Sequence, residues 1–181
     1  MSFLNSISKP SPHKLLISFT DLTLFTRFCL SNSDKEVFSM IRDFFHFHGH
    51  IIENQGGEVI KHIGDASLIA FPEERVEEGI LALRELKNKG DHWLMQRNIK
   101  SRVMVKVHFD EVIVGEIGTP SWSRVDIYGK GVNTTATLPC KGFTLTPQAF
   151  RKLSSESRKF FKKHTEPITY IPLEESHGRH S

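Results

Sequence analysis

The sequence predicts an α+β fold, an antiparallel sheet with helices packed on it. Three observations predict it. Val103, Val105 and Val107 alternate with Met104 and Lys106, the period-two pattern of a half-buried strand. From Val37 to His48 apolar residues recur at three and four spacing, the stripe of an amphipathic helix. The run Glu58 to Phe71, EVIKHIGDASLIAF, has two apolar stretches separated by Gly64 and Asp65, which reads as a hairpin with those residues at its tip. Strands and helices alternate without the long parallel crossovers of a doubly wound sheet.

Taken in order, residues 1–13 carry Pro10 and Pro12 and read as a flexible leader. Leu15 to Phe19 is a short buried strand, running directly into Thr20 and Asp21. Leu22 to Phe28 can start a helix. Ser33 followed by Glu36 has capping-box spacing and opens the helix of Val37 to His48. Gly49, Gly56 and Gly57 break that pattern before the hairpin, whose second strand ends at Pro72. Val76, Ile80, Leu83 and Leu86 mark a second helix, closed by Asn88 and Gly90. Val112 to Val114 is the expected hairpin partner of the Val103 strand. Ser121 to Asp126 reads as a polar loop feeding a Gly-rich turn at Gly129 and Gly131, then a short helix from Asn133 to Leu138. Pro147 to Phe161 reads as a third helix, Ile168 to Ile171 as a closing strand, and 174–181 as a disordered tail.

Composition narrows the class. A chain of 181 residues with 38% hydrophobic and 25% charged content fits one soluble domain. Its apolar runs fall short of the roughly 18 residues of a membrane span, and MSFLNSISKPSPHK lacks the design of a signal peptide. Cys29 and Cys140 have no metal-ligand spacing and read as reduced core thiols of a cytoplasmic protein. A net charge of +3 is too small to argue for nucleic acid, yet suits a polyanionic small ligand.

Asp65 and Lys61 are charged residues among apolar neighbours. A plain turn explains Asp65; a metal ion or bound nucleotide would explain both. Three separated pieces bear on the choice: FTDLTLFT at 19–26 with Asp21, KHIGDASLIAF at 61–71 with Asp65, and VDIYGKGVNTTATL at 125–138 with Asp126 and Asn133. In that order they resemble the catalytic domain of the class III nucleotidyl cyclases, and the resemblance runs from about Leu15 to Leu173 within a domain of residues 14–173.

The resemblance implies a ferredoxin-like fold acting as a head-to-tail homodimer, with active sites at the interface completed by both chains. Asp21 and Asp65 match the aspartates that bind two divalent ions, Mg²⁺ or Mn²⁺, and the carbonyl of Leu22 would complete one sphere. Hard cations of this kind take carboxylate and phosphate oxygens. Lys61 and Asp126 match the purine-selecting positions. A carboxylate can accept from the exocyclic amine of adenine while Lys61 donates to a ring nitrogen, so the pair implies ATP; a plain interface salt bridge is the competing reading. Asn133 matches the residue orienting the ribose, and also suits a helix cap. Lys162 matches the lysine that binds the triphosphate, with Lys163 second. The implied reaction is attack of the ribose 3′-hydroxyl on the α-phosphate, giving cyclic AMP and pyrophosphate.

The chain departs from the family in places. Thr137 stands where the family carries its transition-state arginine, four residues after Asn133. Lys130, Arg124 and Lys141 are the nearest substitutes in sequence. Leu24 and Asp110 replace common glycines, and the segment Pro139 to Thr146 looks shortened. Two functions follow: an adenylate cyclase, or a cyclase-like domain that holds nucleotide and regulates with little turnover. A ferredoxin-like interaction domain is the structural alternative. His46, His48 and His50 read as a solvated helix end, Phe44, Phe45 and Phe47 as core and dimer interface, and Lys159 to Lys163 as a solvated basic helix end.

Overall fold

The computed structural model describes residues 3–4 and 9–175. Its centre is an eight-stranded sheet built on β1 (Ser11–Leu22) and β4 (Val103–Thr119), paired antiparallel from Ser11↔Val114 to Leu22↔Val103. On the other side of β1 lie β3 (Ala66–Pro72) and then β2 (Glu58–Ile63); beyond β4 come β6 (Phe143–Leu145), β8 (Thr169–Pro172) and β7 (Phe161–His164). The C-terminal part of β4 also carries β5 (Trp122–Tyr128) as a hairpin. The β4–β6 pair is parallel and the others are antiparallel.

Alternation along the strands divides the sheet into two faces. Leu16 of β1 and Val103, Val105 and Val107 of β4 point into the larger core, under α2 (Asp34–Glu53), which follows the short α1 (Phe25–Ser31), and under α3 (Val76–Gln96). Leu15, Ile17, Leu68, Val112 and Ile127 make a smaller core on the other face, where α4 (Lys130–Thr137) packs across β1 and β4. Ser33 caps α2 with the reciprocal bonds of a capping box, as its spacing predicts. Gly90 lies inside α3 rather than at its end. A Cβ there would lie 2.6 Å from Val103 Cγ2, so glycine is what lets the helix close on the sheet. Gly49 likewise stays inside α2. No helix among the described residues is long and apolar enough to cross a membrane.

Several elements differ from expectation. Val112 to Val114 is not a hairpin partner of Val103 to Val107; both belong to one 17-residue strand. Asp110 and Glu111 stay extended because β1 supplies partners for them at Leu15 and Lys14. The partner is instead β5, covering most of the expected polar loop, with the turn between Thr119 and Trp122. Nor is Pro147 to Phe161 one helix. Thr146 caps α5 (Pro147–Phe150), Ser154 caps α6 (Ser155–Arg158), and β7 begins at Phe161. The two internal caps divide what composition alone leaves continuous.

Strand β1 begins at Ser11, inside the expected leader, and Leu4 is buried. Pro12 is tolerated because β3 pairs only with Leu15 to Thr20, leaving one side of β1 without a strand neighbour at Pro12. At the other end Glu174 bonds Arg84 and Glu175 accepts from Phe143 N–H, so these two residues of the expected tail are anchored; 176–181 lie outside the described residues. Both cysteines are free and only partly buried.

His48 differs most from its neighbours. His46 and His50 are exposed, but His48 is fully buried against Phe44, and among the described residues neither ring nitrogen has a hydrogen-bond partner. Burial, with a smaller contribution from nearby His62, pushes its imidazole down to about 4. The unfolded chain takes up that proton near pH 6.5 and the folded one refuses it until about 4. Folding stability is therefore complete above 6.5 and falls as pH drops through that window, by up to about 3 kcal/mol. Urea unfolding at pH 7.5 and 4.5 checks this: His48→Leu should remove that part of the decline, and an unchanged decline would exclude His48 as its source.

Candidate active site

The hairpin and the end of β1 bring two carboxylates together. Ile63 and Ala66 pair across the two-residue turn, and Gly64 takes φ +63°, the conformation that favours glycine at its first position. Asp65 then turns toward Asp21, the penultimate residue of β1. The Leu22 N–H donates to both: 3.0 Å to Asp21 Oδ1 and 3.2 Å to Asp65 Oδ2. With the Leu22 N–H shared between them and the Asp65 N–H as a further donor to Asp65, the two carboxylates still keep lone pairs unanswered. Burial pushes the Asp65 carboxyl up to about 6, and the neighbouring Asp21 carboxyl adds to the rise. This is the environment a hard divalent cation relieves, because it supplies the positive charge the pair lacks.

The residues present fit such an ion in part. The described residues hold no group of three or more His, Cys, Asp or Glu, so protein side chains alone do not build a cage. A carboxylate pair completed by backbone, water and phosphate oxygens is the usual arrangement for Mg²⁺ at a nucleotide site. Leu22 is seen through its N–H, which joins the two carboxylates.

Across the hairpin, Lys61 Nζ lies 2.6 Å from Asp126 Oδ2, tying β2 to β5. Asp126 is 3% exposed, and its Oδ1 accepts from Ile127 N–H at 2.8 Å. Lys61 also lies 5.2 Å from the centre of the Tyr128 ring, and Arg124 stands 3.9 Å from Asp126 Oδ2. The two residues form a salt bridge within one chain, not the interface bridge of the competing reading. A pair this buried is held by each partner's need for the other.

Asn133 is exposed inside α4, not at its cap. Gly129 takes the N-cap position, and the Asn133 N–H bonds back to its carbonyl at 3.4 Å. One turn on, the Thr137 hydroxyl donates to the Asn133 carbonyl at 2.9 Å, so its side chain is turned back on its own helix. Asp110 has an equally local explanation. It lies beside Gly131, where a Cβ would come within 2.7 Å of Asp110 Cβ, and its Oδ2 is 3.6 Å from His108 Nε2. The aspartate fits because a glycine faces it.

Within one chain, Lys162 does not join Asp21 and Asp65. It belongs to β7, the edge of the sheet opposite β2, and its ammonium donates to the Leu173 carbonyl at 3.0 Å. Four strand spacings separate it from β1, roughly 20 Å. The sequence reading missed Lys106, whose ammonium reaches the Ala136 carbonyl near the end of α4 at 2.6 Å. The signal was its place in the Val103 strand, opposite the apolar set and therefore on the Asp21 face.

The sequence matches the family described as the adenylate and guanylate cyclase catalytic domain over residues 7–148. The receptor-type guanylate cyclase gcy-23 of Caenorhabditis elegans is 27% identical over 155 residues, which is 80% of this chain and 14% of that protein. The adenylate cyclase of Anabaena cylindrica is 21% identical over 140 residues, 73% of this chain and 28% of that one. The chain therefore spans less than a third of the length of either relative. A bacterial light-regulated adenylyl cyclase shares the fold with a TM-score of 0.76 at 20% identity, over 93% of this chain and 53% of that one. Relatives of both specificities are among these matches, and on the extent of the family match the chain belongs to the adenylate and guanylate cyclase catalytic domains.

Proposed function

We propose that this domain converts ATP to cyclic AMP and pyrophosphate as a head-to-tail homodimer. The observation that carries the reading is the convergence of Asp21 and Asp65 on the Leu22 N–H. A bound pair of Mg²⁺ or Mn²⁺ would neutralise the triphosphate and make the ribose 3′-oxygen a better nucleophile. The chain's own residues do the rest. Asp21 and Asp65 would hold those ions at the phosphate end of the substrate. From the partner protomer, Lys61 and Asp126 meet the purine edge and Asn133 orients the ribose. Fixing the 3′-oxygen in line with the α-phosphorus is most of what this transfer asks of a protein.

Lys61 and Asp126 support adenine. Their mutual bond fixes Lys61 as donor and Asp126 as acceptor, the complement of the adenine edge. Guanine presents a carbonyl and a ring N–H in those places and would meet like with like. Thr137 favours a second reading, a nucleotide-binding regulator with little turnover, because its hydroxyl is turned onto the Asn133 carbonyl and carries no charge.

The purified chain incubated with ATP and Mn²⁺ tests the choice. Cyclic AMP formed in preference to cyclic GMP from equal GTP supports the cyclase. Tight ATP binding with no cyclic product would select the regulator instead.

A further inference from the structure

The site as described has a charge problem. A triphosphate together with two carboxylates carries more negative charge than a pair of divalent ions would offset, and two of the cations near this face are engaged elsewhere. Lys61 is bonded to Asp126 at 2.6 Å, and Arg124 stands beside the same carboxylate while stacking on Trp122. Lys162 lies at the other edge of the sheet.

Strand register puts Lys106 in a different position. Lys106 is directly opposite Phe19, Phe19 is opposite Leu68, and Leu68 is opposite Lys61. Residues directly across an antiparallel pair share a face, so this row lies on one face of the sheet. Asp21, two residues after Phe19, shares that face. Lys106 is thus the diagonal cross-strand neighbour of Asp21, at a spacing of about 7–8 Å between backbones, which the four-carbon stem of a lysine can span. Its strand neighbours Val105 and Val107 point the opposite way, into the larger core.

The partner that holds Lys106 is also informative. Its ammonium donates to the Ala136 carbonyl, in the last turn of α4, where carbonyls lack intrahelical partners. That contact parks a cation at the negative end of a helix without neutralising it. Transfer to a phosphate oxygen would replace a neutral acceptor with a charged one, so that the ammonium is paired with an opposite charge.

Resting on the cyclase reading, we propose that Lys106 is a catalytic residue: its ammonium leaves the Ala136 carbonyl and bonds the phosphate chain held over Asp21 and Asp65 of the same protomer. No proton moves in this step; the ammonium stays charged and balances the negative charge that builds as the bond to pyrophosphate breaks. Lys106 thereby supplies in β4 a cation that Thr137 does not supply in α4.

Two measurements on the full chain test it. Lys106→Met keeps the stem and removes the charge, and should lower kcat for cyclic AMP formation by about 100-fold, with Lys106→Arg staying within a few-fold of wild type. Calorimetry with Mn²⁺ present should show Lys106→Met binding ATP at least tenfold more weakly while adenosine binding is unchanged. A Lys106→Met protein with wild-type turnover and wild-type ATP affinity would overturn the role of Lys106 and leave the cyclase reading standing. If the wild type makes no cyclic product, the cyclase reading fails, and the calorimetry alone decides whether Lys106 contacts the phosphates. Equal losses for ATP and adenosine would mark Lys106 as structural and overturn the proposal.

Discussion

Asp65→Ala is expected to lower cyclic AMP formation by at least about 1,000-fold while leaving the protein folded. The size follows from what the residue does. With Asp65 gone, Asp21 is the single carboxylate at the Leu22 N–H, and one carboxylate cannot hold two divalent ions over a triphosphate. The fold should tolerate the change because Asp65 sits at a hairpin tip and is held up to about 6 mainly by burial and its neighbour, an environment that does not favour its charge. The matching readouts are cyclic AMP by chromatography and the melting temperature by circular dichroism. A folded Asp65→Ala protein with more than a tenth of wild-type turnover would remove the metal role from this residue. Loss of folding would be resolved with Asp65→Asn, which keeps the size and the acceptor for the Leu22 N–H but loses the charge.

The second large effect concerns the base. Replacing Lys61 with Glu and Asp126 with Cys together should move the preference from ATP toward GTP, changing the ratio of the two kcat/KM values by about 100-fold or more. The double change matters. Lys61→Glu alone would set two carboxylates side by side, and Asp126→Cys alone would leave Lys61 without its ion partner, so neither single variant presents the guanine-matching pair. Glu at 61 offers an acceptor to the guanine ring N–H, and Cys at 126 removes the acceptor that repels its carbonyl. An unchanged preference for ATP in a folded double variant would assign the pair a structural role joining β2 to β5.

The parts of this site that were legible in the sequence are those set by local chemistry. Gly64 and Asp65 between two apolar runs fix a turn, and the turn decides where Asp65 points. Ser33 and Glu36 announce their own helix start. What was not legible depends on a distant partner. Asp110 and Glu111 look like a turn until β1 is known to reach back to Ser11 and pair with them. Trp122 to Asp126 looks like a loop because only the far part of β4 makes it a strand. The stretch from Pro147 to Phe161 divides for the opposite reason, since Thr146 and Ser154 are local caps that each start a helix of their own.

His48 and Lys106 illustrate the same limit for side chains. A histidine between two exposed histidines reads as solvated, yet the helix turns it into the core beside Phe44. A lysine alternating with valines reads as the wet side of a strand. That side proves to be where α4 packs and where Asp21 points, as the register makes plain. For Asn133, sequence allowed a cap or a site residue, and Gly129 at the N-cap removes the first.

The account stands on a division of labour: carboxylates from one protomer, base contacts from the other. Mixing Asp65→Ala protein with Lys61→Ala/Asp126→Ala protein, each inactive alone, measures it directly. Mixed dimers would contain one site with Asp21 and Asp65 from one chain and Lys61 and Asp126 from the other, so cyclic AMP formation should reappear on mixing, at up to about a quarter of wild-type turnover from the statistics of pairing and one intact site per mixed dimer. A mixture as inactive as its components, with dimers demonstrably exchanging subunits, would contradict the shared site.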